Sequence, residues 1–375
     1  MFPFILMAAL IIFALIGVYY FFFFKRMLNQ FGMDRNKTIT RITCAILAIA
    51  MVAWSSNIRG TGLVAVMYLL MFAISADLIH LIIKRLPGIK KSADDRFMRI
   101  WNLLYRGGIL AILLTVLTVS YGYYNMSNVV KTNYRITTEK LSAGESLKIA
   151  MISDLHLGMN MHADGLAEHL EKIQAEEPDM LLLVGDLFDE GTAKDDMLQA
   201  AALLGAVDTT YGVFYVYGNH DVNQYSSDKA YTPEEMTAAL EAAGIHILAD
   251  SNVVLENGIS IIGRLDRSFG VRSDVAVLVD DLPEDSFKIM LDHQPADMKD
   301  KADAGIDLQV SGHTHAGQVW PFGQFSELAG FNEMNYGLRE YDDMTAIVSS
   351  GIAGWGFPIR TAKHCEYVMI EIVGE

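Results

Sequence analysis

Four apolar stretches crowd the first third of this 375-residue chain. They run from Phe2 to Phe24, Ile39 to Ser55, Leu63 to Ile83 and Gly107 to Tyr124. A helix needs about 20 mostly apolar residues to cross a hydrocarbon core of about 30 Å, so the pattern predicts a four-helix transmembrane region over residues 1–124. The second stretch is the shortest, and its Cys44 to Trp54 core carries no charge. Lys25 and Arg26 directly follow the first stretch and no basic residue precedes it. That is the reverse of a cleavable secretory signal, and the segment reads as a retained anchor.

Charge divides the chain at the same place. Residues 1–124 hold 13 Lys and Arg against 4 Asp and Glu, a balance of +9, whereas the remainder holds 16 against 41, a balance of −25. A basic apolar part joined to an acidic polar part reads as a membrane portion plus a water-facing domain. Short cytoplasmic loops collect Lys and Arg. Lys25, Arg26, Arg35, Lys37 and Arg41 lie between the first two stretches, and Lys84, Arg85, Lys90, Lys91, Arg96, Arg99 and Arg106 between the last two. The middle connection carries only Arg59. Both basic loops therefore belong inside, and the domain after Tyr124 is expected on the extracytoplasmic side. Tyr121, Tyr123 and Tyr124, with Trp54 at the matching end of the second stretch, read as interfacial aromatics. Asp77 and His80, one turn apart in the third stretch, read as side chains snorkelling at the cytoplasmic end.

An acidic surface argues against binding to polyanions, since non-specific nucleic-acid affinity needs clustered Lys and Arg; no nucleic-acid surface is expected. Only Cys44 and Cys365 occur, so no disulfide framework and no cysteine-ligated zinc cluster is expected.

Residues 125–146 turn polar and read as a linker with a first edge strand at Tyr134 to Thr138. The domain proper is expected over 147–375. Strand-length runs follow at Leu147 to Ile152, Met180 to Val184, Val213 to Tyr217, Ile259 to Ile262, Lys288 to Leu291 and Leu308 to Val310. Helix-like segments lie between several of them: Ala163 to Glu176, Asp195 to Leu204 and Pro233 to Ala243. The last is introduced by Thr232 as N-cap, Pro233 at the first position and Glu235 three residues after the cap. This alternation predicts an α/β layered fold, with sites at the carboxyl ends of strands.

Nearly every one of those strands runs into residues that bind metals. The first meets Asp154 and His156, the second Gly185-Asp186, and the third Gly218-Asn219-His220-Asp221. A fourth meets Asp292-His293, and a fifth Gly312-His313-Thr314-His315. Singly, each would more often be a turn. Five in this order make chance a poor explanation. Carboxylate and imidazole suit manganese, iron, zinc, cobalt or nickel, and the lack of thiolates argues against structural zinc. In Asp-x-His both side chains point to one face. A carboxylate such as Asp186 can bridge two ions about 3.5–4 Å apart, the spacing used for displacement at phosphorus.

These motifs resemble the calcineurin-like metallophosphoesterase superfamily, and within it the bacterial membrane-associated phosphoesterases. That second likeness rests on Ser153 to Gly158, Gly312 to Gln318 and Gly351 to Arg360. The resemblance covers residues 147–372 and implies a layered α/β/β/α sandwich acting as a metal-dependent phosphoric ester hydrolase. It assigns Asp154, His156 and His315 to one divalent ion and Asn219, His293 and His313 to a second, with Asp186 shared. It implies a bridging hydroxide as nucleophile, and His220 as the group that protonates the leaving oxygen or binds a phosphoryl oxygen beside Asn219. Asp221 would orient His220 or start a helix. Protein phosphatases of the superfamily follow Gly-Asp with an Asp-Arg pair, whereas this chain reads Gly185-Asp186-Leu187-Phe188-Asp189-Glu190, which disfavours a phosphoprotein substrate.

His162, just after the first motif, is a further substrate-contact candidate, while His169, His246 and His364 read as surface or packing residues. Arg360 would reach a phosphate or form a salt bridge, and Trp320, Pro321 and Phe322 would form an apolar lip over the metals. The expected substrate is a phosphomonoester or phosphodiester. A lipid-linked pyrophosphate or phospholipid head group is a second reading, and a non-catalytic metal-binding sensor a third.

Overall fold

The computed structural model describes all residues except 1, 35, 56–59, 86–94, 223, 224 and 227–229. Arg35, Arg59, Lys90 and Lys91 of the charge argument therefore lie outside the described residues. The chain forms two compact units, Met1–Gly122 and Tyr123–Glu375.

The first unit is helical: α1 (Phe2–Gln30), α2 (Thr38–Trp54), α3 (Thr61–Arg85), α4 (Asp95–Arg106) and α5 (Ile109–Ser127), the last running into the second unit. Its apolar residues are distributed inside out. Leu10, Leu15, Ile46, Ile49 and Leu117 are exposed, while small or aromatic side chains such as Ala48, Ala73, Cys44, Tyr20 and Phe23 fill the interior. Small residues allow close helix approach where the solvent is lipid. Among the described residues three helices, not four, are long and apolar enough to cross a membrane: Leu10–Gln30, Thr61–Arg85 and Ile109–Ser127. The expected fourth, α2, is a shorter apolar helix of 17 residues, about 25 Å at 1.5 Å per residue. Asp77 pairs with Arg26 and accepts from the Tyr19 hydroxyl at 2.7 Å. His80 is buried, accepts from Trp101 Nε1 at 3.1 Å and stacks on Tyr105. In low dielectric, mutual pairing costs less than separate exposure of each polar group to lipid.

The second unit holds two six-stranded sheets. One has the order β1-β12-β2-β3-β4-β5, from β1 (Val129–Thr138), β2 (Ser146–Ile152), β3 (Met180–Val184), β4 (Val213–Val216), β5 (His246–Ile247) and β12 (Cys365–Gly374). The other has the order β10-β11-β9-β8-β7-β6, from β6 (Ser251–Val254), β7 (Ser260–Gly263), β8 (Lys288–Leu291), β9 (Leu308–Ser311), β10 (Gly337–Tyr341) and β11 (Met344–Val348). β2, β3 and β4 run parallel, as do β7, β8 and β9. The first strand begins five residues before the predicted Tyr134 and pairs parallel with β12 along all ten residues, so the presumed linker is largely sheet.

Alternation along the strands explains the layering. Ile149, Met151, Leu182 and Val184 enter the core between the sheets, where Ile289, Leu291, Leu308 and Val310 meet them. Their neighbours Ala150, Ile152, Leu181 and Leu183 face α6 (Ala163–Gln174), α7 (Lys194–Gly205) and α8 (Pro233–Ala242). Met290, Ala346 and Val348 face the opposite way, toward α9 (Val275–Val279) and α10 (Met298–Asp303). Period-two side chains covered on both faces give buried strands with continuous apolar runs, stacked as α/β/β/α. The cap of α8 is the predicted one: the Thr232 side chain accepts from Glu235 N while Glu235 reaches back to Thr232 N.

Candidate metal centre

The turns after β2, β3 and β4 in one sheet, and after β8 and β9 in the other, meet at one edge of the sandwich. His293 Nδ1 lies 2.9 Å from Val184 O, and His313 N donates to Asp154 Oδ1 at 2.8 Å, so both contacts join the two sheets. Three groups result: Asp154 with His156 and His315, Asp186 with His293 and His313, and His156 again with Asp189 and His220. In each, ligand atoms lie within 4.8 Å of one another. Asn219 Oδ1 is 2.8 Å from His313 Nδ1, beside the second group. Asp186 Oδ2 stands between the groups, 3.1 Å from His293 Nε2 and 3.7 Å from His156 Nε2.

The backbone is bent to make this convergence. Asp154, His156, Asp186, His313 and His315 all take positive φ, between 42° and 68°. A non-glycine residue there costs on the order of 1–3 kcal/mol and persists only where the surroundings enforce it, typically at a functional site. The adjoining glycines leave room: a Cβ on Gly218 would lie 2.2 Å from Asp186 Oδ1, and one on Gly312 would lie 2.3 Å from Asp154 Oδ2.

The donor set fits divalent cations. Asp154 Oδ2 is buried without a hydrogen-bond partner, an arrangement that costs about 1–3 kcal/mol unless something else satisfies it, while His293 Nε2 faces the Asp186 carboxylate 3.1 Å away. His156 Nε2 and His315 Nε2 face each other at 3.1 Å, where two lone pairs would repel. Ligand atoms about 2.0–2.2 Å from one ion lie about 3–3.5 Å apart, close to these separations. Burial, followed by the positive charge of a neighbouring ring, sets the titration here. Burial raises the Asp154 carboxyl, and it lowers His315, to which His156 and Arg360 add. Asp186 is buried too, yet His293 and then His156 hold its carboxyl well below the ordinary range.

Three acids support the centre, two of which, Asp189 and Glu190, carry no role in the sequence reading. Asp189 Oδ2 sits 2.9 Å from His156 Nδ1, which leaves Nε2 free to point at the centre. Glu190 Oε1 lies 2.9 Å from His220 Nδ1. Burial opposes charge on the His220 ring, but the Glu190 hydrogen bond and the charges of Asp186, Glu190 and Asp189 carry its pKa above the usual value. Asp221 neither orients His220 nor starts a helix. Its carboxylate accepts from the backbone N–H of Asp186 (2.7 Å), Phe188 (2.9 Å) and Gly218 (2.7 Å), tying the second and third turns together. Burial and then the Asp186 charge raise its carboxyl to about 6, against those backbone donors. The signal for the first two was the tail of Gly185-Asp186-Leu187-Phe188-Asp189-Glu190, where two further acids follow the bridging candidate.

Asp292, beside His293, is no ligand: it is fully buried against Lys301 (2.9 Å), Arg272 (3.2 Å) and Arg264 (3.6 Å). Arg360 reaches no phosphate site and has no ion pair among the described residues. Wholly buried, it donates to His315 O and Ala353 O, pinning the last motif. His162 lies outside the metal-ligand groups, its ring largely exposed and 2.8 Å from Asp196. His169 is half-buried with an unpartnered Nδ1, His246 stacks on Phe214, and His364 Nδ1 is 2.9 Å from Asn125 Oδ1. The aromatic rim of the centre is not Trp320 to Phe322. It is Trp355 and Tyr225, whose rings lie 5.6 and 5.1 Å from His220. Trp320 lines a separate cavity of about 460 Å³ with Asn335, Tyr336 and Lys363.

A two-sheet α/β sandwich with a carboxylate and imidazole cluster at its strand ends defines a metal-dependent phosphoric ester hydrolase. The pattern of the calcineurin-like phosphoesterases matches residues 147–317. The chain is 32% identical over 285 residues to an uncharacterized metallophosphoesterase of Campylobacter jejuni, covering 73% of this chain and 72% of that one. It is 30% identical to one from Aquifex aeolicus, covering 70% of this chain and 99% of that protein. A zebrafish transmembrane protein with metallophosphoesterase domain is 29% identical over 71% of this chain and 62% of its own length. The chain belongs to the calcineurin-like metallophosphoesterase family, and a phosphate ester is the substrate class this implies.

Proposed function

We propose that this protein hydrolyses a phosphomonoester or phosphodiester at the extracytoplasmic face of a membrane, using two divalent ions held by Asp154, His156 and His315 and by Asn219, His293 and His313, with Asp186 shared. The carrying observation is the convergence of these side chains, drawn from five strand ends of two sheets, with the buried Asp154 Oδ2 left unpartnered among them. Bound there, the ions would supply an activated water and positive charge over the phosphoryl oxygens.

The chain's own groups do the rest. Asp189 and the Val184 carbonyl fix the rings of His156 and His293. Glu190 accepts the Nδ1 proton of His220, leaving Nε2–H to donate to the departing oxygen. Asp186 Oδ1 accepts from the His220 backbone N–H at 2.8 Å, which ties the backbone of that residue to the carboxylate between the groups. A helix long enough to cross a membrane, α5, separates the basic segment ending at Arg106 from this domain. Lys and Arg mark the cytoplasmic side, which supports an external domain.

Purified full-length protein with added manganese should hydrolyse p-nitrophenyl phosphate or bis-p-nitrophenyl phosphate, and Asp186→Ala should abolish it. Unchanged turnover in Asp186→Ala would sink the reading.

A further inference from the structure

Beyond the last ligand, His315, the chain makes a short helix, α11 (Phe322–Leu328), whose apolar side chains face solvent. Phe322 is 44% exposed, Phe325 60%, Leu328 84% and, in the following turn, Phe331 82%. Residues three apart are neighbours on a helix surface, so Phe322, Phe325 and Leu328 follow one another as a ridge along α11, and Phe331 lies in the turn whose backbone N–H returns to Ser326 O. Contiguous exposed apolar surface marks an interaction site.

Two sets of contacts place the ridge. Gln318, just before it, donates to Trp355 O and accepts from Trp355 N, and the Trp355 ring borders His220. Trp320 N donates to Thr361 Oγ1. The same 360–363 loop accepts from Asn125 Nδ2 at Arg360 O (3.1 Å) and Lys363 O (2.8 Å). Asn125 belongs to the last turn of α5, directly after Tyr123 and Tyr124. If α5 crosses the bilayer as proposed above, the chain leaves lipid within a few residues of Asn125, and this loop and its neighbours must lie at that surface. Lys363, over the Tyr336 ring at 5.0 Å, adds a cation between the ridge and the helix end in an otherwise acidic domain.

We propose that the ridge of Phe322, Phe325, Leu328 and Phe331 seats in the headgroup boundary of the bilayer where α5 emerges, so that the metal centre beside Trp355 acts on phosphate esters carried by membrane lipids. The domain's balance of −25 opposes attraction to anionic lipid, so seating is apolar and insensitive to salt. The inference deepens the proposed hydrolase and rests on its membrane placement.

The test uses the full chain in phosphatidylcholine vesicles. Leu328→Cys and Phe331→Cys carry an environment-sensitive dye, the native Cys44 and Cys365 being buried. Val271→Cys, 97% exposed on another loop, is the reference. Lipids bearing a headgroup-level nitroxide should quench the first two at least twofold more than the third, equally at low and high salt. Quenching no greater than at Val271 overturns the proposal, whether the sites are open to water or shielded by a second copy. The triple variant Phe325→Asp, Leu328→Asp, Phe331→Asp should keep turnover of soluble bis-p-nitrophenyl phosphate within twofold and lose at least fivefold on a lipid-borne p-nitrophenyl phosphoester. Equal retention on both substrates also overturns it. A wild-type protein inert toward every ester would refute the hydrolase reading instead, and the quenching would still decide the seating.

Discussion

His220 Nδ1 lies 2.9 Å from Glu190 Oε1, with the imidazole side chain 13% exposed. The carboxylate, set against the opposing effect of burial, raises the pKa of the ring and so favours the protonated form a general acid requires.

His220→Asn should therefore lower kcat by about 10²–10⁴, the range of general acid catalysis. The loss should be larger for an alkyl phosphate than for p-nitrophenyl phosphate, whose leaving oxygen needs less help. Glu190→Gln should cost about tenfold with the same ordering. A loss independent of leaving group, measured over a series of substituted phenyl esters, would place both residues in binding instead.

Asp189 acts one bond further from the chemistry. Because it holds His156 Nδ1 at 2.9 Å, Asp189→Ala should weaken metal affinity by about 10–100-fold, as loss of a carboxylate behind a ligating imidazole does elsewhere. Manganese titration of turnover reads this directly, and saturating metal should restore most of kcat.

Asp221→Ala strands three backbone N–H groups that now share one carboxylate. At about 1–3 kcal/mol per unsatisfied donor, and about 2–4 °C per kcal/mol for a domain of this size, Tm should fall by roughly 6–36 °C. Thermal unfolding of the full chain in detergent checks it. A shift under 2 °C would mean that water replaces the carboxylate.

Gly312→Ala should leave the fold intact but displace Asp154, since the new Cβ would stand 2.3 Å from its Oδ2. The expected signature is loss of metal and turnover with near wild-type secondary structure by circular dichroism.

Strand positions and the ligand types were legible in the sequence because both follow local rules: apolar runs of four to seven residues, and Asp, Asn or His directly after them. The first strand was read short, since Val129 to Asn133 are only partly buried and lack a strong apolar pattern. Asp189 and Glu190 show no role in sequence, and Asp221 is expected to serve His220 or a helix start rather than the backbone of Asp186, because their partners lie 30–35 positions away and only the folded turns bring them together. Arg360 looked like a phosphate or salt-bridge residue because an arginine in sequence shows charge, not burial. The apolar lip was sought at Trp320, beside the last motif in sequence, whereas Trp355 reaches His220 through a separate loop.

The central claim is that two ions sit in two ligand groups sharing Asp186. Metal content of purified, manganese-loaded protein, counted for the wild type and for His156→Ala and His293→Ala, tests it most directly. The account predicts about two ions per chain in the wild type and about one in each variant. One ion in the wild type, or counts unaffected by either substitution, would contradict it.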